Sequence, residues 1–575
     1  MLLARPAPGA RALPFGKLDA GAAIFVLSLA ALAIMVVLPM GWLVFTSLQI
    51  PATGRLGLDN YVEAFSKSIY LSPIVNSLVL ASSAAALATL IGTPLAWLMA
   101  RTELPARAFL RTLIIAAFVT PPFLGAQAWI LLAAPNSGWL NKAFVALTHA
   151  EHGPLNVYSL AGAIFVMAAY NIPYTFTFVY GALSAMPSEM EDAAAILGSG
   201  ALRRTLTITL PLALPAILAG FIMSFLEVIS EFGTPAFLLI PARMQVITTQ
   251  LYLFFQYPAR IELAAAYAIP LLLLTAALLY VQGRLIGRRK YTMIGAKGTR
   301  RHLIALRAWR WPLFGLAFLV PFASVIMPYG ALLATSLSRA WGLGPSPGNF
   351  TFYWYRWALV DNPTTRGAIL HSLTYSLVAA TIAVVIAISI AFAVQRKLVP
   401  GAQFLGFLTM APYVIPGLIL AIGFYAAFSR PPLLLYGTGW ILIVAYATRF
   451  LPIAYSSFGA ALQTLSADLE FAARTLGASR LRSVLTVTFP LLRNAVLTAW
   501  LLVFIPALRE LSCAILLFTP STAVMSTVIF DFSDAGNFEA VATMGVMMMV
   551  TTFAIVALMY RFLGRSVIEA RSAGV

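Results

Sequence analysis

Charge is what this sequence has least of. Only 10% of its 575 residues are Asp, Glu, Lys or Arg, against roughly 25% in a soluble domain. So few charges cannot clothe a water-facing surface. With 61% hydrophobic residues and a mean hydropathy of +0.90, the chain is an integral membrane protein. Cysteine is nearly absent as well. Cys513 stands alone, which excludes an intrachain disulfide and leaves the redox compartment unread. No phosphate loop of the form G-x-x-x-x-G-K-[ST] occurs, so any ATP hydrolysis must come from a separate chain. Alternating apolar and polar runs of about ten residues are missing, which argues against a membrane β-barrel. The N-terminus lacks a short apolar core with a small-residue cleavage site, so the first apolar run reads as an uncleaved anchor.

What is present is a series of long apolar runs. About twelve are long enough to cross roughly 30 Å of hydrocarbon as helices. They fall near 21–47, 75–100, 109–133, 158–184, 212–232, 262–283, 312–336, 370–394, 404–428, 439–463, 491–514 and 540–562. The net charge of +18 invites a nucleic-acid reading, but its distribution argues against one. Basic residues concentrate in alternate loops, including Arg101, Arg107 and Arg111, Arg203 and Arg204, and Arg474, Arg480 and Arg482. This is the asymmetry of a polytopic membrane protein, and it places both termini in the cytoplasm.

The chain also repeats itself. Glu191-Asp192-Ala193-Ala194, then Gly198 and Pro211, returns as Glu470-Phe471-Ala472-Ala473, then Gly477 and Pro490, at a constant offset of 279 residues. Pro173 and Pro452 keep that offset, as do Glu231 and Glu510. Upstream, Asn76-Ser77-Leu78 matches His371-Ser372-Leu373 at an offset of 295, as do Pro105 with Pro400 and Pro121 with Pro416. A longer loop near 134–157 absorbs the difference. Six spans in each half give both halves the same orientation, a parallel repeat. The first half occupies 1–284, a basic cytoplasmic linker 285–311, and the second half 312–575.

In each half the repeated motif follows the fourth span and precedes the fifth. Its acidic residues and alanines suit the start of a short helix. Gly198 and Gly477 suit its end, and Pro211 and Pro490 suit the start of the next span. This spacing resembles the EAA loop of binding-protein-dependent ABC importer permeases, over nearly the whole chain. The resemblance implies an all-α, type I ABC importer permease-like fold. It also implies coupling helices that dock on two copies of a cytoplasmic ATPase subunit. ATP and Mg would then sit on those partners, and this chain would need no cofactor and perform no catalysis. Glu191, Asp192, Ala193, Ala194, Gly198 and Pro211 would form one coupling element, and Glu470, Phe471, Ala472, Ala473, Gly477 and Pro490 the other. The second copy departs from the pattern: Phe471 stands where the family has an acid, with Glu470 adjacent. A salt bridge at that exact position is therefore not implied for the second half, and apolar insertion by Phe471 is the reading left for it. A periplasmic or extracellular substrate-binding protein and a bacterial inner-membrane location are also implied.

Ionisable residues in or near spans are candidates for the translocation path: Glu227, Glu231, Arg449, Arg509 and Glu510. Glu227 and Glu231, four apart, are expected to share a helix face, with Glu510 opposite Glu231 across the pseudo-twofold axis. An interfacial ion pair, such as Arg509 with a carboxylate, is the competing reading. His149-Ala150-Glu151-His152 has metal-ligating side chains but reads as an ordinary loop, and no metal site is expected. Ser230-Glu231-Phe232-Gly233-Thr234-Pro235-Ala236, Leu508-Arg509-Glu510-Leu511-Ser512 and Ala514-Ile515-Leu516-Leu517-Phe518 resemble the ferric-iron branch of fused importer permeases. Iron(III) is thereby implied as the substrate, with thiamine, polyamine or another small solute as alternatives. A carboxylate pair suits a hard cation, and suits a polyamine too. The competing class is a self-contained secondary transporter, which also has twelve spans in two parallel halves.

Overall fold

The computed structural model describes residues 20–51, 53–118, 120–187, 189–287, 303–344 and 346–572. Most of the basic linker, and the N-terminal basic residues, lie outside that set. Ten helices among the described residues are long and apolar enough to span a membrane: Ala23–Leu48, Ser68–Arg101, Leu160–Ala185, Ala201–Ser230, Ile261–Leu285, Arg307–Ser336, Pro363–Gln395, Gly439–Gln463, Val484–Leu508 and Phe538–Leu558. These are the first, second, fourth, fifth, sixth, seventh, eighth, tenth, eleventh and twelfth of the expected spans.

The third and ninth are not straight spans. The expected helix at 109–133 is two short ones, Arg107–Ala116 and Pro122–Ala133. The expected helix at 404–428 bends by 111° between Ala402–Tyr413 and Gly417–Phe428. The breaks carry Pro121-Pro122 and Pro412 with Pro416. Proline lacks an N–H and disfavours helix at the residue before it, so an apolar run is broken while its hydropathy stays high. The inner limbs are almost wholly buried: Pro122–Ala133 except for its proline, and Gly417–Phe428 except for Tyr425.

Proline leaves a second mark. Five π-helical turns, Ala33–Val37, Thr205–Thr209, Phe322–Ile326, Trp357–Asp361 and Val484–Thr488, each end two residues before a proline. The prolines are Pro39, Pro211, Pro328, Pro363 and Pro490. A proline ring collides with the carbonyl four residues back, and widening the turn by one residue relieves the collision; in four of the five the helix continues, while before Pro363 it ends at the extended Asn362. Pro211 therefore does not start the fifth span, as expected from sequence. It follows a π-turn inside a continuous helix that begins at Ala201. Pro490 likewise follows a π-turn inside the eleventh span.

Each half is built on three mutually packed helices: the second, fourth and fifth spans in one, the eighth, tenth and eleventh in the other. Stripes of alanine let the backbones approach: Ala81, Ala84, Ala85 and Ala88 in the second span, and Ala379, Ala380, Ala383 and Ala387 in the eighth, all fully buried. The halves are interlocked. The first span packs against the eighth span and both limbs of the ninth, all in the second half. The seventh span packs against both limbs of the third, in the first half. Each sequence half thus lays its leading helix on the other half.

Beyond the fifth and eleventh spans the chain folds back into short helices. Gly233–Leu239 and Ile247–Leu253 do so in the first half, Ala514–Leu517 and Met525–Asp534 in the second. The eleventh span ends at Leu508, so the expected extension to 514 is a turn and a buried helix instead.

Candidate functional site

The two repeated motifs fold as short helices, Glu189–Ile196 and Asp468–Thr475, at one end of the molecule. Each closes on a glycine in the left-handed region, Gly198 at φ +80° and Gly477 at φ +90°. The N–H of the residue after the glycine returns to the helix, Ser199 N to Ala194 O at 2.9 Å and Ala478 N to Ala473 O at 3.1 Å. That conformation is what these glycines supply, because a Cβ on either would meet nothing within 4 Å.

The glutamates are turned into the protein. Glu191 Oε1 accepts the Thr209 hydroxyl at 2.6 Å, and Glu191 Oε2 lies 3.6 Å from Arg101 Nη1. In the second half Glu470 Oε1 accepts the Thr488 hydroxyl at 3.0 Å and Arg396 Nη2 at 2.9 Å. The arginines also hold the ends of the preceding spans, Arg101 through the Met186 carbonyl at 3.1 Å and Arg396 through the Leu465 carbonyl at 3.3 Å. The glutamate carbonyls are held too, by Arg204 at 3.2 Å and by Ser483 Oγ at 3.2 Å. Each glutamate therefore ties its helix to the end of the second or eighth span and to the π-turn leading into the fifth or eleventh.

This geometry places an ion pair in both motifs, one residue before the position where it was in doubt. Glu470, not position 471, is the counterpart of Glu191, and the ion pair exists in both halves. Phe471 is left 57% exposed, and Asp192 is the acid at its counterpart. The other exposed side chains were not singled out from sequence. Leu197 is 87% and Leu476 89% exposed, and Met190 and Leu469 are also exposed. Both pairs keep the 279-residue offset, which was the signal available. Unburied apolar side chains repeated at two equivalent helices mark surfaces suited to covering by another protein.

The five candidate path residues do not form one set. Glu227 is exposed, and Tyr174 and, from the second half, Arg449, Arg509 and Glu510 lie near enough to act on it electrostatically. Glu227 is thus an exposed carboxylate with charged groups of the other half close by. Glu231 does not share its face. The fifth span stops at Ser230, and Glu231 is extended at φ −77°, ψ 135°. Its carboxylate accepts from Thr234 N at 3.2 Å and Thr234 Oγ1 at 2.7 Å, capping Gly233–Leu239. Glu510 makes the matching bond to Cys513 N at 2.9 Å, ahead of Ala514–Leu517. The expected pair of opposed carboxylates is thus a pair of helix caps, because buried N–H groups in these folded-back segments need acceptors.

Glu510 also pairs with Arg449, at 3.3 Å. Arg449 Nη1 lies 3.7 Å from Cys513 Sγ, and that thiol donates to the Gly417 carbonyl at 3.1 Å. A Cβ on Gly417 would fall 1.1 Å from Arg449 Nη1, so only glycine leaves room for this guanidinium. In the first half Tyr170 occupies the position of Arg449, and its ring lies where a Cβ on Gly125 would be, 2.1 Å away. Arg509 donates across the halves to the Phe118 carbonyl at 2.7 Å. His149 ends the Trp139–Thr148 helix in the left-handed region.

The family model described as binding-protein-dependent transport system inner membrane component matches residues 92–291 and again 383–569. The ferric transport system permease protein FbpB of Actinobacillus pleuropneumoniae is 26% identical over 517 residues, covering 87% of this chain and 72% of its own. The Fe(3+)-transport system permease protein FbpB 2 of Haemophilus influenzae is 22% identical over 529 residues, covering 90% and 95%. A putative 2-aminoethylphosphonate transport system permease protein, PhnV of Salmonella paratyphi A, is 28% identical over 226 residues, covering 39% and 84%. A crystal structure of a bacterial ABC transporter involved in the import of the acidic polysaccharide alginate covers 47% of this chain and 95% of its own, at 17% identity and a TM-score of 0.38. Two family domains, in two interlocked halves that each carry the same clamped helix, make this chain a fused, multi-pass member of the binding-protein-dependent transport system inner membrane component family.

Proposed function

We infer that this chain is the fused permease subunit of an ATP-driven importer of iron(III), working with two copies of a cytoplasmic ATPase and an external binding protein. The observation that carries the coupling is the duplicated clamp. Each motif presents an exposed leucine just before its helix-ending glycine and fixes its glutamate to the ends of two spans. A push on the helix is thereby delivered to both spans at once, instead of bending a loop. ATPase closure moves both helices, and the halves rock between inward-open and outward-open states. The partner shifts that equilibrium only by binding the two states unequally. ATP and Mg belong to the partner, the chain itself does no catalysis, and the motif-bearing end and both termini face the cytoplasm.

Iron(III) rests on the two ferric permease relatives that span most of this chain. Glu227, an exposed carboxylate, supplies an oxygen ligand suited to a hard cation. The half-length relative named for 2-aminoethylphosphonate supports a second reading, an anionic phosphonate, for which Arg449 and Arg509 are the better match.

Reconstitution tests all of this. The chain, its ATPase and its binding protein are placed in liposomes, and accumulation of radiolabelled iron(III) is followed with ATP and without. ATP-dependent iron accumulation supports the reading. Accumulation of a labelled phosphonate and not iron favours the second substrate. Uptake by the chain alone under an ion gradient would make it a secondary transporter.

A further inference from the structure

The first half holds a cavity whose polar lining its repeat lacks. It lies at the coupling-helix end, where the second and fourth spans meet the outer limb of the broken third. Its volume is about 490 Å³, and Arg107, Arg111, Tyr180, Met99 and Leu303 line it. The Arg111 guanidinium sits over the Tyr180 ring, 5.0 Å from the centroid. Arg107 Nη1 donates to the Thr102 carbonyl at 3.4 Å. Both arginines are exposed, and among the described residues neither forms an ion pair.

The backbone adds donors at the same place. Arg107–Ala116 starts at the cavity wall, and its cap residue, Ala106, has no side chain with which to satisfy the first N–H groups. On the same helix Phe109 is 53% exposed, as expected of a surface at the hydrocarbon boundary. Met99 and Leu303 give the cavity an apolar wall beneath a cationic mouth.

The second half is the internal comparison. At the repeat offsets, Arg107 becomes Ala402, Arg111 becomes Gly406 and Tyr180 becomes Gly459. A Cβ on Gly406 would lie 2.7 Å from the Tyr455 hydroxyl, so that place is filled. All three ligand-facing side chains are missing together from a half that otherwise keeps the clamp. Packing of the repeat therefore does not require them.

We propose that this cavity binds the phosphodiester headgroup of an anionic phospholipid from the leaflet on the coupling side. Two guanidiniums and an open helix N-terminus match phosphate oxygens, and the apolar wall takes the first carbons of an acyl chain. A zwitterionic lipid carries its own cation and gains less. Binding also reaches the coupling machinery. Leu303 adjoins Ile304, whose N–H donates to the Arg101 carbonyl at 2.9 Å and whose carbonyl accepts Glu103 N at 3.1 Å. A headgroup here anchors the linker beside the arginine that clamps Glu191.

The test is native mass spectrometry of the full chain, released from nanodiscs containing equal phosphatidylglycerol and phosphatidylcholine. The wild-type chain is expected to retain phosphatidylglycerol preferentially. Arg107→Ala with Arg111→Ala is expected to weaken retention about ten- to thirtyfold, while Arg107→Lys with Arg111→Lys keeps most of the preference. Should the double alanine variant not remain monodisperse, Arg111→Glu alone gives the same readout. Unchanged retention in the alanine or glutamate variant overturns the proposal. Full displacement of the lipid by millimolar inorganic phosphate also overturns it, in favour of a soluble oxyanion.

Discussion

Arg396 and Glu470 meet at 2.9 Å on the inner side of the second motif helix, as Arg101 and Glu191 do at 3.6 Å in the first. The glutamates are 12% exposed. Their partners lie on helices whose register is offset by 295 residues while the motifs are offset by 279, so the pair survives the change in loop length between the halves. This clamp leads to the first prediction. Glu470→Ala should reduce ATP-coupled uptake at least about tenfold, since hydrogen bonds to a charged group contribute roughly 1.5–3 kcal/mol. The exchange Arg396→Glu with Glu470→Arg should recover part of it. Uptake and ATP hydrolysis measured side by side check this, and equal loss in single and exchanged variants would count against an ion-pair clamp.

The exposed leucines make a different prediction. Leu197→Asp and Leu476→Asp touch nothing in this chain's core, so melting in detergent should stay unchanged. Co-purification of the ATPase should fall, and the double variant should lose it. Retention of the ATPase by the double variant would move the docking surface elsewhere.

Gly477 tests backbone geometry without packing. Gly477→Ala should cost about 1 kcal/mol and Gly477→Val more, because φ +90° is strained for side-chain-bearing residues while no neighbour crowds the site. Asn tolerates the left-handed region better, so Gly477→Asn should retain more coupled uptake than Gly477→Val. Indistinguishable uptake in the two variants would show that φ is not the constraint.

Gly417 tests packing instead. Gly417→Ala places a methyl on the Arg449 guanidinium and should separate it from Glu510. Breaking a buried pair costs roughly 3–5 kcal/mol, so the purified variant should melt at markedly lower temperature or fail to assemble. Combining it with Arg449→Ala should relieve the clash. A double variant no more stable than Gly417→Ala alone would argue against the steric account.

On the opposite side of the fold, before the second span, Arg260 and Lys67 hold the Glu63 carboxyl down to about 2 from 4.5. A depressed carboxylate contributes stability above its unfolded pKa and loses it as pH falls through the folded one. Melting temperature should therefore be insensitive to this group above pH 4.5 and decline as pH drops toward 2. Glu63→Gln should remove that part of the acid sensitivity, and an identical acid profile in the variant would exclude it.

The sequence alone determined the membrane class, the twofold internal repeat, the two short motif helices and their glycine ends. Each rests on local chemistry that needs no partner: hydropathy over a helix length, helix propensity and a glycine conformation. The match of Asn76-Ser77 with His371-Ser372 was also legible, though its meaning was not. Ser77 and Ser372 accept the N–H of Ile247 and of Met525, each at 2.7 Å, and so hold the folded-back helices in place. Only the tertiary structure decided the rest. Hydropathy could not show that Pro121 and Pro416 break their spans, because a bent apolar helix is as apolar as a straight one. It could not show that Glu231 and Glu510 cap buried helices, because a carboxylate near a span end reads alike whether it faces a path or an N–H. Nor could it show that the first and seventh spans cross to the opposite half, since a uniformly apolar helix names no partner. That choice is made by the shape of the surfaces it meets.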